Sequence, residues 1–362
     1  MGKGKLVASS SRFGFELMGK INSQLEAIAC ELFEMAGISN KIENITSVKR
    51  GGNNQIFLVT GDDRKLILKK YFQNPEDHRN RLNIEFEFLK IAGLRAPGEV
   101  PKAYSKSNSQ LAALYEYISG DVLAHVSEVT ESYVRQAGQF IAKLNTGENF
   151  TEIADLSSAS EACFSIDQHI QTIDDRLGEL QRSRLAQPDD AEFNQTLTQI
   201  CDCWRNIKSA LLQQFQQDPS LDLSLALTVD QRVLSPSDFG FHNVLIRPDA
   251  RLAFIDFEYA GWDDPAKLVG DFFAQVAIPV DLKYFDLFVS AAFKHRLDYE
   301  SICARSSALL PLYKIKWCCI VLNIYLPKHL ARRKFANPGM NVLEIKRQQL
   351  LKAKQLLEEA IL

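Results

Sequence analysis

The sequence predicts an α+β fold in two lobes: a small antiparallel sheet with one prominent helix, then a larger, mainly helical part. Three observations carry this prediction. The chain has 362 residues, more than the roughly 250–300 at which one hydrophobic core stops growing. Between Ile42 and Ile118, short β-type runs are separated by Gly, Asp and Asn turns. From Val129 onward, apolar residues recur mainly at helical spacing. The parts fall at 1–40 (a leader and a helix), 41–120 (the smaller lobe) and 121–362 (the larger lobe).

Composition narrows the class. Hydrophobic residues make up 46% and charged residues 24%, as in an ordinary soluble globular protein. A net charge of −3 gives no reason to expect nucleic acid or an anionic membrane as partner. The seven cysteines are odd in number and form no C-x-x-C pair, which points away from a disulfide framework or a zinc site and toward a reducing cytoplasm. The opening stretch MGKGKLVASSSRFGF lacks the apolar core of a signal peptide. No apolar run approaches the ~18 residues of a membrane span, and KWCCIVLNIYL, the nearest, reads as a buried helix. A cytoplasmic protein that does not insert into membranes is expected.

In chain order, residues 1–20 read as a leader. Ile21, Leu25, Ile28, Ala29, Leu32 and Phe33 then mark a helix that covers the smaller lobe. ITSVK leads into Arg50-Gly51-Gly52-Asn53-Asn54, followed by the strands QIFLVT and KLILKKYF around a Gly-Asp-Asp turn. Glycines between strands let backbone N–H groups cradle phosphate oxygens, although most such stretches are hairpin turns. Lys69 alternates with apolar neighbours and would face inward, with Lys70 facing away. The segment from Pro75 to Gly93 reads as a helix with Ile84, Phe88 and Ile91 as its apolar stripe. Glu85 lies at the margin of that stripe, where an inward carboxylate needs a cation, and Lys69 is the candidate. VPKAY and LAALYEYISG supply two more strands, the second leading through Glu116 and Ile118 to a Ser-Gly connector.

Helices follow at Glu131–Leu144, Ile166–Leu180 and Phe193–Phe215. Next comes SPSDFGFHNVLIRPDARLAFID, Ser235 to Asp256. Its runs VLI and LAFI around an Arg-Pro-Asp-Ala turn predict a hairpin. Asn243 would start one strand and Asp256 end the other, with Asp238 in the loop before them. Two carboxylates and an amide oxygen form a hard oxygen set that suits Mg²⁺ bridging phosphates; the plain alternative is an acidic turn. Asp263-Asp264-Pro265 then starts a helix through Phe273, and Val342 to Ile361 is an amphipathic helix.

Taken in order, these features resemble the aminoglycoside phosphotransferase and choline kinase superfamily, whose fold is bilobal and protein-kinase-like. The resemblance covers about residues 45 to 330, and IDFEYAGWDDP is nearest to the choline kinase branch. It implies a nucleotide-covering loop at Gly51, Gly52, Asn53 and Asn54. It implies Lys69 on the phosphates, Glu85 orienting that lysine, and a hinge where Glu116 and Ile118 offer backbone groups to adenine. Asp238 becomes the catalytic base and Asn243 with Asp256 the Mg²⁺ ligands, while Glu258 assists through water or a second metal. ATP and Mg²⁺ are the implied cofactors, and the acceptor is a hydroxyl of a small molecule: an amino alcohol, a sugar or an aminoglycoside. Phosphoryl transfer is mostly positioning and charge neutralisation, which these residue types supply.

The chain departs from the family in places. Pro236 stands where the family has a His two residues before the base, and Asn145 stands where many relatives have His. His242, just before the metal-ligand Asn, reads as a packed or hydrogen-bonded residue rather than a phosphate ligand. The family's usual Asp after the Asp-Pro pair is absent at its offset, and Asp271 is the candidate replacement. These departures keep a second reading open, an inactive pseudokinase serving as a nucleotide-binding or scaffold module. A protein kinase is disfavoured, because Gly240 replaces its catalytic-loop lysine and Glu258 the glycine after its metal-binding aspartate. Trp262, Tyr259, Tyr313, Trp317 and Tyr325 would wall a choline-like cation but read more simply as core.

Overall fold

Each short β-type run of the smaller lobe pairs in an antiparallel sheet whose register sets one face against a covering helix and the other against the site. The computed structural model describes residues 11–39, 41–48, 53–61, 64–73, 79–146, 156–187, 189–217 and 223–361. Gly51 and Gly52 lie outside the described residues. The strands are β1 (Asn44–Ser47), β2 (Gln55–Gly61), β3 (Arg64–Lys70), β4 (Ala103–Ser107) and β5 (Ala112–Glu116), in the order β1-β2-β3-β5-β4. On β3, Leu66 and Leu68 face helix α1 (Ser11–Met35), packing with Ile28, Leu32 and Phe33. Ile67 and Lys69, one residue out of step, face the opposite side. The covering helix is as expected, but it starts at Ser11 rather than Ile21. No proline interrupts residues 11–20, so the helix continues through them despite Gly14 and Gly19.

Helix α2 (Arg81–Arg95) begins with Asn80, whose side chain accepts from Asn83 N at 3.0 Å. It runs two residues past Gly93. Residues 74–78 lie outside the described ones, so the predicted onset at Pro75 falls there. Its buried face is centred on Leu82, Glu85, Phe88, Leu89 and Ala92, with Ile84 and Ile91 only at the margin. The expected stripe is thus rotated, and the reason is Glu85, which its partners draw fully inside. Phe88 stacks on Phe257 at 4.8 Å, rooting α2 in the larger lobe.

The larger lobe contains α3 (Glu131–Leu144), α4 (Ile166–Leu185), α5 (Ala191–Gln216), α6 (Pro265–Ala274), α7 (Phe285–Phe293), α8 (Tyr299–Val321), α9 (Pro327–Ala336) and α10 (Val342–Ile361). Short strands β6 (Val233–Ser235) and β9 (Gly261–Asp263) pair antiparallel, as do β7 (Val244–Ile246) and β8 (Leu252–Phe254). Phe140 stacks on Phe254 at 4.2 Å and on Phe239 at 6.0 Å, fixing α3 beneath β8 and the loop after β6. The connector between lobes is tied down by a two-way bridge: Asp121 N donates to Ile246 O at 2.9 Å and Ile246 N to Asp121 O at 2.7 Å. A Cβ on the adjacent Gly120 would lie 2.8 Å from Ile246 O, so only glycine permits this approach.

By length and apolarity the stretch Tyr299–Tyr325 would cross a membrane, against the expectation that no such run exists. In the fold it is the core helix of the larger lobe, packed among α4, α5, α6 and α10. It also carries a buried charge, Lys316, paired with Asp271. Tyr313 and Tyr325 are buried, as helical spacing implied, and Trp262 is half-buried against the core from a short strand.

Asp264 caps α6 by accepting from Ala266 N at 2.7 Å, and its other oxygen accepts from Arg305 Nε at 2.7 Å and from His169 Nε2 at 2.9 Å. Burial opposes charge on His169, but the Asp264 carboxylate outweighs it and lifts the imidazole to about 9. A raised histidine contributes stability that is complete below its unfolded value near 6.5 and is lost as pH climbs through its folded value. Urea unfolding between pH 6 and 10 should therefore show a loss of up to about 3 kcal/mol that is flattened in His169→Gln.

Candidate active site

The site is assembled from the inward face of β3, the buried face of α2, the loop after β6 and the open end of the β7–β8 hairpin. Lys69 Nζ donates to Glu85 Oε2 at 2.6 Å and to Asp256 Oδ1 at 2.6 Å. Burial alone would lower the lysine, but Asp256 and Glu85 raise it well above its ordinary value, so it stays cationic. Glu85 is further satisfied by Tyr71 Oη, which donates to Oε2 at 2.7 Å, and by Phe257 N, which donates to Oε1 at 3.3 Å. A buried carboxylate with three donors is held in one place. Burial and the nearby Asp256 push Glu85 upward, while Lys69 and Tyr71 pull it back; the ion pair is the state the donors favour.

The predicted hairpin closes in register, Val244 opposite Phe254. One further bond, Ile255 N to Asn243 O at 3.0 Å, brings Asn243 and Asp256 to its open end. Asp256 has φ 69°, a left-handed conformation that Asp tolerates better than most residues and that marks constrained sites. Burial raises its carboxyl, with Lys69 opposing and Glu258 and Asp238 adding to the rise. Asn243 Nδ2 donates to Asp238 O at 3.0 Å, leaving its side-chain oxygen for another partner. One carboxylate and one amide oxygen fit Mg²⁺, which prefers oxygen, keeps water and takes the rest of its shell from phosphates. Among the described residues, no trio of His, Cys, Asp or Glu forms a metal cage.

The Asp238 loop is held from several sides. Asn145 is buried and its amide grips β6 in both directions: Leu234 N donates to its Oδ1 at 2.7 Å and its Nδ2 donates to Leu234 O at 3.1 Å. Ser237, at φ 66°, donates its N–H to Ser235 Oγ at 3.0 Å, and Asp238 N donates to Pro236 O at 3.0 Å. Lys267 Nζ lies 2.6 Å from Asp263 and 3.4 Å from Asp271, and donates to Ser237 Oγ at 3.3 Å. Asp271 thus reaches the loop through Lys267 and is itself held by Lys316 at 2.8 Å. His242 Nε2 donates to Asp238 Oδ1 at 3.2 Å. Burial alone would raise Asp238, but its pairing with His242 holds it below its usual value.

Glu258 is buried and accepts from Asn53 Nδ2 at 3.2 Å and Asn54 Nδ2 at 2.7 Å, tying the turn before β2 to the segment after β8. Both its oxygens are therefore engaged. At the connector, Glu116 N donates to Lys102 O at 2.9 Å, whereas the main chain of Ile118 pairs with none of the described residues. A cleft of about 930 Å³ opens beside these groups; Asn53, Asp238, His242, Tyr259 and Trp317 are in its wall.

A two-lobed arrangement with a buried Lys–Glu pair, a second carboxylate on the lysine and an Asp loop facing a cleft is that of a phosphotransferase with a kinase-like fold. A model of the phosphotransferase enzyme family matches residues 44–273, and the chain belongs to that family. It is an enzyme of the small-molecule kinase class. Among solved structures, choline kinase from Cryptosporidium parvum superposes with TM-score 0.58 at 11% identity, covering 88% of this chain and 90% of that one. Spectinomycin phosphotransferase, solved with ADP and spectinomycin, gives TM-score 0.55 at 14% identity over 86% and 94%. A choline kinase from Streptococcus pneumoniae gives TM-score 0.54 at 15% identity over 93% and 99%. No curated protein sequence matches the chain at a significant level.

Of the residues singled out from sequence, the fold brings Lys69, Glu85 and Asp256 into contact, with Asn243 beside Asp238 and Asn53 with Asn54 on Glu258. The grip of Asn145 on Leu234 and the bond from His242 to Asp238 were missed as contacts. His242 is indeed hydrogen-bonded, and its four-residue offset from Asp238 was the available signal.

Proposed function

We propose that this enzyme transfers the γ-phosphoryl group of ATP to a hydroxyl of a small molecule in the cytoplasm, with Asp238 as base. The observation that carries the reading is Lys69, fixed between Glu85 and Asp256 at 2.6 Å from each. In this reading Lys69 leaves Asp256 for the nucleotide phosphates and Glu85 keeps it aimed. Asn53 and Asn54, with Gly51 and Gly52, cover the phosphates, and Glu116 and Ile118 present backbone groups to the base. Asn243 and Asp256 hold Mg²⁺, which when bound neutralises phosphate charge. Asp238 accepts the hydroxyl proton as the acceptor oxygen bonds to the γ-phosphorus and the bond from that phosphorus to the β–γ bridging oxygen breaks, releasing ADP.

The pseudokinase reading rests on Pro236, yet the loop is held without the missing histidine by Asn145, Lys267 and His242. Thermal unfolding with Mg-ATP tests the choice. The native protein should be stabilised by several degrees and Lys69→Met much less; no stabilisation at millimolar nucleotide would favour the scaffold reading.

A further inference from the structure

The cleft beside Asp238 carries the wrong charge for a cationic acceptor. Its described wall has seven arginines and lysines against five carboxylates. Most of those carboxylates are already engaged: Glu161 by Arg176, Glu179 by Lys328 at 2.8 Å and Asp271 by Lys316. The Asp263-Asp264 pair, which would have suited an aminoglycoside, is wholly buried and committed to Lys267, His169 and Arg305.

The cations are differently placed. His329, Arg332 and Arg333 fall at i, i+3 and i+4 on α9 and so share one face, which lines the cleft. Among the described residues, no carboxylate lies within ion-pair distance of Arg332 or Arg333, which are only half-exposed; Arg332 donates to Tyr259 Oη at 2.8 Å and, with Lys69 and Arg81, helps hold the buried Glu258 carboxyl down, whereas Arg333 has no such counter-charge. Burial and the neighbouring Arg332 hold the Arg333 guanidinium below its ordinary value, and burial with the surrounding cations presses His329 down to about 3. Like charges gathered in a cleft cost the empty protein stability and are relieved by an anion. From the opposite wall, Arg79 donates to Ser160 Oγ, and Ser160 O accepts from Ser237 beside Asp238. The cationic wall therefore reaches the loop of the proposed base.

Of the aromatic rings in the wall, Tyr259 is already faced by cations and Trp317 is anchored by its edge. The Tyr259 ring already has the Arg81 guanidinium 5.1 Å and the Arg332 guanidinium 6.0 Å from its centre. Trp317 Nε1 donates to Asp271 at 3.1 Å.

We infer that the acceptor is itself an anion, a hydroxyl compound bearing a phosphate or carboxylate group that Arg332 and Arg333 bind while its hydroxyl meets Asp238. This assignment rests on the phosphotransferase reading and selects the substrate class within it. Charge-assisted hydrogen bonds to one such group contribute about 1.5–3 kcal/mol, so Arg333→Gln should raise KM for the acceptor about tenfold or more while kcat changes little.

The test uses thermal unfolding of the full chain saturated with Mg²⁺ and a non-hydrolysable ATP analogue, at constant ionic strength. Millimolar sulfate should stabilise the native protein further, and that increment should vanish in Arg333→Gln and in the Arg332→Gln/Arg333→Gln double variant while the nucleotide shift stays. Glucose 6-phosphate and gluconate then separate a phosphate from a carboxylate preference. No sulfate increment, an increment unchanged in Arg333→Gln, or stabilisation by choline or kanamycin instead would overturn the inference. Failure of the nucleotide itself to stabilise the native protein would overturn the phosphotransferase reading beneath it. If the double variant does not fold, the single Arg333→Gln decides, since that side chain supports no other described group.

Discussion

Asp238→Asn should lower kcat by about a thousandfold, the range expected for loss of a general base, while leaving the nucleotide-induced thermal shift within a degree of native. The two readouts separate because Asp238 touches His242 and, through its backbone, Asn243, and no group assigned to the nucleotide base. An amide at this position keeps an oxygen for His242 but cannot accept a proton. Turnover of Mg-ATP is the measurement, with water as a slow acceptor if no better one is in hand. A loss smaller than tenfold would remove Asp238 from the chemistry and leave it as a loop anchor.

Lys267→Met should be the most damaging single change to stability, by about 3–5 kcal/mol. Asp263 and Lys267 are essentially without solvent contact, and their contact at 2.6 Å is the ion pair that neutralises Asp263. Burial raises the Asp263 carboxyl and Lys267 is the main force lowering it, so without the lysine a charge is left stranded. Asp271 suffers less because Lys316 remains. The double variant Asp263→Asn/Lys267→Met should recover much of the loss in urea unfolding, a coupling the cycle measures directly. The penalty should also shrink toward acid pH, where the stranded carboxyl takes up a proton. Additive effects of the two substitutions would contradict the account.

How much of this was legible beforehand depended on sequence distance and on period. The β7–β8 hairpin was readable because its strands lie a turn apart, and the register that brings Asn243 to Asp256 follows from that turn. Lys69 was readable from alternation on β3, and Glu85 as a misfit charge beside the α2 stripe. The rotation of that stripe was not, because propensity places Ile84 and Ile91 inside until the pull of Lys69, Tyr71 and the Phe257 amide is known. The α8 helix misled by composition: apolar runs broken by Lys314 and Lys316 hid its length, although burial suits it. Least legible was the charge of the cleft. Its arginines come from positions 79, 81, 176, 332 and 333, and only the folded packing gathers them, with Arg81 and Arg332 meeting over Tyr259. A chain with net charge −3 gives no hint of a basic interior wall.

The two-way bridge between Asp121 and Ile246 makes the connector a third rail of the hairpin that ends at Asn243 and Asp256. Main chain near Ile118 and the Asn243–Asp256 pair therefore belong to one rigid gauge, three residues from connector to hairpin. Under the proposed reading, the two ends of a nucleotide are measured on that single gauge, and Lys69 belongs to it too, because its strand β3 pairs with β5, which runs directly into the connector. Phosphate-chain length would then be discriminated by that gauge.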